Sequence, residues 1–89
     1  MQERFLVELY LPRSATAEAE TMATAVRAAA EAMTREGSRI RYLRSIFVPE
    51  DETCFLVFEA ADREWVLAAA ERAGLEVDRI LQSQERGAA

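Results

Sequence analysis

"RYLRSIFVPEDETCFLVFEA", residues 41–60, decides the fold. Two runs rich in β-branched and aromatic residues flank Pro49-Glu50-Asp51-Glu52, which reads as a hairpin of strands 39–48 and 53–60 around an acidic turn. With that turn, Val48 lies opposite Thr53, Ile46 opposite Phe55 and Arg44 opposite Val57, and directly opposed residues share a face. One face then collects Leu43, Ser45, Phe47, Cys54, Leu56 and Phe58, nearly all apolar. The other collects Tyr42, Arg44, Ile46, Val48, Phe55, Val57 and Glu59, a mixed set. A small antiparallel sheet normally keeps one face dry and one wet, so the mixed face raises the question of what covers it.

Upstream, Phe5, Val7, Leu9 and Leu11 alternate with Leu6, Glu8 and Tyr10, a period-two strand stopped at Pro12. Ser14 or Thr16 can cap a helix over about 17–36, whose Met22, Val26, Ala29 and Met33 make one apolar stripe at helical spacing. Gly37 closes it. Downstream, Asp62 caps a second helix with the stripe Val66, Ala69, Ala70 and Ala73; Trp65 and Leu67 flank it, and Gly74 ends it. A last strand spans about 77–83. The order βαββαβ, with right-handed crossovers, puts both helices on one face of a four-stranded antiparallel sheet, an α+β ferredoxin-like fold. Residues 1–84 form the single domain and 85–89 a flexible tail.

Phe5, Val7 and Leu9 are expected to meet the helices, which leaves Leu6, Glu8 and Tyr10 on the open face with the mixed set. For the last strand, the pattern permits either Arg79 with Leu81 or Asp78 with Ile80 on that face. An apolar patch of Leu6, Ile46, Val48, Phe55, Val57, Tyr10 and Tyr42 exceeds what a lone chain tolerates. The simplest cover is a second copy, giving a homodimeric α/β barrel with a cavity between the sheets. Glu8, Glu59, Tyr10, Tyr42 and Arg44 are then polar groups in an apolar cleft, lined by Leu6, Ile46, Phe55 and Val57, the usual anatomy of a small-ligand site. One reading is that Arg44 simply pairs with Glu8 or Glu59. A sharper one makes the carboxylates an acid/base pair, with the tyrosines holding an enol or phenol oxygen, in a cofactor-independent cyclase or isomerase. A third is a structural dimer without a site.

Composition removes other chemistries. The 89 residues contain no histidine, which excludes Ser-His and Cys-His nucleophile pairs and the commonest metal ligand. All 11 basic residues are arginine, so no lysine Schiff base can form. A net charge of −5 and the missing glycine of an RNA-binding strand argue against nucleic acid as partner. Gly37, Gly74 and Gly87 are too scattered for a phosphate loop. A lone Cys54 reads as a core residue in a reducing compartment. No run is long enough for a membrane span and no cleavage signal precedes the first strand, which places the chain in the cytoplasm.

The words "FLVELYLP", "RYLRSIFVPEDETCFLVFEA" and "AGLEVDRI" together resemble a family of small bacterial ferredoxin-like proteins of poorly defined function, some of them labelled nickel-binding proteins. The resemblance spans nearly the whole chain. It implies a dimeric ferredoxin-like fold and divalent-metal (nickel) binding. Without histidine, the available donors are Cys54, expected to face the helices, and the acids of the 49–52 turn, of which Asp51 and Glu52 are the candidate ligands. Nickel prefers imidazole or thiolate, and carboxylates suit harder cations.

Overall fold

The computed structural model describes residues 2–84; the expected tail, 85–89, lies outside them. The elements run β1 (Glu3–Tyr10), α1 (Thr16–Arg35), β2 (Ile40–Val48), β3 (Thr53–Ala60), α2 (Arg63–Arg72) and β4 (Arg79–Ser83). The strands form one antiparallel sheet in the order β2-β3-β1-β4. This is the α+β, βαββαβ arrangement read from the sequence.

Phe5, Val7 and Leu9 of β1, Cys54, Leu56 and Phe58 of β3, Val26, Ala30 and Met33 of α1, and Val66 and Ala69 of α2 form one buried cluster. Both helices therefore lie on the same side of the sheet. Each fully buried Phe, Leu or Val contributes about 1.5–3 kcal/mol before ordering entropy is counted. The Cα envelope is 18 Å across its shortest axis, room for the sheet and one layer of helices. Among the described residues, none forms a layer over the other sheet face.

Local chemistry sets the element ends. Asp62 caps α2 by accepting a hydrogen bond from the Glu64 N–H at 2.9 Å. After Gly37 (φ +103°) the Ser38 N–H donates to the Met33 carbonyl, and after Gly74 (φ +76°) the Leu75 N–H donates to that of Ala70. Both closures satisfy carbonyls the helix leaves unpaired. The expected Ser14 or Thr16 cap does not form: Ala15 occupies the N-cap position and no side chain bonds there. Ala15 is itself buried, so this end is held by packing. Leu75 and Val77 also pack on the core, and β4 begins at Arg79, two residues later than the alternation suggested.

The hairpin register is the expected one from Val48↔Thr53 through Arg44↔Val57. Pro49–Asp51 form one turn of 3-10 helix, and Glu52 takes φ +49° to bring the chain back. Beyond Arg44 the register shifts, and Tyr42 lies opposite Phe58. Leu43 is the extra residue of a β-bulge, which re-aims its neighbours. Tyr42 accordingly leaves the open face, where the unbroken alternation put it, and joins the helix side; its ring meets Phe58 edge-on at 5.7 Å. Arg41, opposite Glu59, takes its place on the open face.

Candidate functional site

Combining the three strand registers gives the open face row by row. Across one end run Arg41, Glu59, Arg4 and Ser83. The next row is Arg44, Val57, Leu6 and Leu81, and the third is Ile46, Phe55, Glu8 and Arg79. Val48, Thr53 and Tyr10 close the far end. An apolar lane thus crosses the sheet diagonally through Val48, Ile46, Phe55, Val57, Leu6 and Leu81, with charge on both flanks. The phase of β4 is resolved: Leu81 joins the lane and Arg79 the charged flank, while Ile80 packs on the core.

The carboxylates are held by partners other than those expected. Glu59 accepts from Arg4 at 3.2 Å and from Arg41 at 3.1 Å. Glu8 accepts from Arg79 Nε at 3.0 Å. The Arg44 side chain pairs with neither and makes no hydrogen bond or ion pair with any described residue. Glu59 and Glu8 fall two rows apart on neighbouring strands, about 13 Å along the strand direction. That is beyond the reach of two carboxylates working on one bond, which needs about 5–9.5 Å. Within one chain they therefore do not form an acid/base pair. Tyr10 is on the face but at its rim, 60% exposed, and Tyr42 is on the other side of the sheet.

The four expected lining residues do share the face, in unequal states. Val57 is 1% exposed and Ile46 43%, with Leu6 and Phe55 between. Val57 sits between Leu6 and Arg44 in its row, and flanking side chains already shield it within one chain. The patch open to water is therefore smaller than the residue roll implies, and within the lane Ile46 is the most exposed residue. The arginines Arg4, Arg41 and Arg79 were not among the sequence candidates; their partners depend on lateral register between strands far apart in sequence.

The donors among the described residues of one chain do not fit nickel. Glu52 turns its carboxylate to the Arg13 backbone N–H at 3.0 Å, and Asp51 is exposed beside it. Among the described residues no three Cys, Asp or Glu side chains converge as a metal site. Cys54 is fully buried on the helix side, and burial raises its thiol pKa, which opposes the thiolate a soft metal needs. None of the described helices is long and apolar enough to cross a membrane.

Among curated proteins, none matches the chain. Among solved structures, the crystal structure of SCO4226 from Streptomyces coelicolor A3(2) is similar, with a TM-score of 0.64 at 17% identity over 94% of this chain and 99% of that one. At that identity the likeness speaks for the fold. Residues 5–82 match the family model described as nickel responsive protein SCO4226-like, and with nearly the whole chain covered, the protein belongs to that SCO4226-like family.

Proposed function

We propose that the chain is a small-ligand-binding member of its family that works as a homodimer, closing its open sheet face against that of a second copy and holding an apolar molecule in the lane between. One observation supports this above the rest. Among the described residues no helix covers the lane through Ile46, Phe55, Val57 and Leu6, while the ion pairs on its two flanks are already made within the chain. A self-complementary face of this kind suits a two-fold interface. It needs no further charge neutralisation except at Arg44, which is free to meet an acidic group on the guest. A chain of this size also gains stability from association.

Sedimentation velocity and native mass spectrometry on protein from its own host test the reading together. Expected are a two-subunit species, its loss in Ile46→Glu, and a copurified small molecule that Phe55→Ala no longer retains. A stable single-subunit species at working concentration, with Phe55 open to solvent probes, would exclude it. The enzymatic alternative, a cofactor-independent cyclase or isomerase, gains nothing from carboxylates held two rows apart, Glu8 by Arg79 and Glu59 by Arg4 and Arg41.

A second reading, nickel association, is favoured by family membership. The donors of one chain oppose it, so a nickel site would have to draw on both copies or on residues outside 2–84. Calorimetric titration with nickel, repeated on an Asp51→Asn, Glu52→Gln variant, decides whether the 49–52 turn takes part. Unchanged heats in the variant remove those two residues from the reading.

A further inference from the structure

A second concavity lies where α1 borders β2, at the edge of the sheet. This groove, of about 970 Å³, is lined by Arg27, Arg35, Arg39, Arg41, Tyr42 and Glu31 among others, and by none of the six apolar residues of the lane. Its volume is at the upper end of small-molecule sites. The charge around it runs against the rest of the molecule. Four of the chain's 11 arginines line it against two acids, Glu31 and Glu59, in a protein of net charge −5.

One of those acids is already spent. Glu59 receives hydrogen bonds from Arg41 and Arg4, whereas Arg27, Arg35 and Arg39 form no ion pair with any described residue. Three guanidiniums thus face one unpaired carboxylate, Glu31. The groove also has an aromatic wall. The Arg27 guanidinium carbon lies 5.5 Å from the Tyr42 ring centroid, a cation–π contact, and Phe58 supports that ring from within the core. The Tyr42 hydroxyl bonds to no described residue and is not a buried orphan. The bulge at Leu43 is what delivers Tyr42 to this side of the sheet.

The geometry points to a binding site for a small planar oxyanion, an aromatic ring bearing carboxylate or phosphate, whose ring stacks at Tyr42 and Arg27 while its oxygens take hydrogen bonds from Arg35 and Arg39. Arginine suits both halves, since its planar group stacks on π faces and its N–H fork matches an oxyanion bidentately. Arg41 and Glu59 border both regions, but the residues that would hold the ring and its oxygens, Tyr42, Arg27, Arg35 and Arg39, are not part of the sheet-face lane.

The test titrates ¹⁵N-labelled protein with benzene-1,2-dicarboxylate and, separately, with inorganic phosphate, following backbone amides and arginine Nε signals. Expected are saturable shifts over residues 35–42 and at Arg27 with the dicarboxylate, and weaker binding of phosphate, which has no ring to stack. Arg35→Gln with Arg39→Gln should weaken the dicarboxylate at least about tenfold. Both residues are exposed, and an unchanged spectrum elsewhere confirms the fold. Tyr42→Leu should weaken the dicarboxylate and leave phosphate unchanged. Non-saturating shifts, equal affinity in the arginine variant, phosphate binding as tight as the dicarboxylate, or shifts centred on Leu6, Phe55 and Val57 would each overturn the assignment.

Discussion

Cys54 is enclosed between the sheet and the helices, and burial raises its thiol above the ordinary 9.0. A group whose folded pKa exceeds its unfolded one gives stability that is complete below the unfolded value and is lost as pH rises through the folded one. Denaturation midpoints should therefore fall more steeply above about pH 9 in the wild type than in Cys54→Val. A disulfide reagent should label Cys54 only as fast as the chain opens; rapid native labelling would contradict its burial. Glu36 shows the opposite shift. Arg72 at the end of α2 donates to both its oxygens, at 2.6 and 3.2 Å, and that bond lowers the carboxyl below its ordinary 4.5. Its contribution is present above the unfolded value and lost as pH falls through the lowered one. The pair is exposed, so salt should erode the effect. Carbon-13 titration should find Glu36 among the more acidic glutamates, and Arg72→Gln should return it toward 4.5. Cys54 was legible as core from its place in an apolar run. The Glu36–Arg72 link was not, because it joins two helix ends whose separation only the packed structure fixes.

The elements were legible wherever local chemistry sets their limits. Pro49 through Glu52 fixed the hairpin register, Asp62 the start of α2, and the glycines the ends of both helices. At Gly74, φ is +76° and a Cβ would meet no atom within 4 Å. The cost of Gly74→Ala is then backbone strain alone, about 1–2 kcal/mol, readable as a lower urea midpoint with an unchanged slope. A loss much larger than that would mean a steric clash that the structure does not contain. The bulge was less legible. Ile40-Arg41-Tyr42-Leu43-Arg44 contains its signal, since Arg41 and Arg44 are spaced three apart and cannot both face outward on an unbroken strand. That signal competes with the turn, which alone suggests continuous alternation. Removing Leu43 tests the two descriptions. With the bulge, the deletion joins Tyr42↔Phe58 to Arg44↔Val57 in regular register, so contacts between the Tyr42 and Phe58 rings should persist by NMR. Had the strand been regular, Tyr42 would lie opposite Glu59 on the open face, and its ring contacts with Phe58 would be absent from the intact chain and appear only after the deletion.

At the scale of the whole molecule, the described helices all lie on one side of the sheet, and its other side alternates ion pairs with an apolar lane. The ion pairs are partly exposed, and pairs of that kind are worth about 0–1 kcal/mol each. Glu59→Gln, which removes two, should cost no more than about 1–2 kcal/mol, with the difference shrinking in high salt. A larger, salt-independent loss would place Glu59 in an interior that one chain does not provide. The topology was legible because each strand and helix announces itself locally. The pairing of charges on the sheet was not, because it follows from β1 lying between β3 and β4, a relation among residues up to 71 positions apart. One feature of β2 reaches beyond the single chain. β2 is an outermost strand, so one side of its backbone has no neighbouring strand and offers a template for unwanted polymerisation. The irregularity at Leu43, with Arg41 and Arg44 beside it, spoils that template. The deletion that straightens the strand should therefore yield a chain that folds yet precipitates more readily on standing, so that this one surplus residue guards the protein against stacking into fibrils.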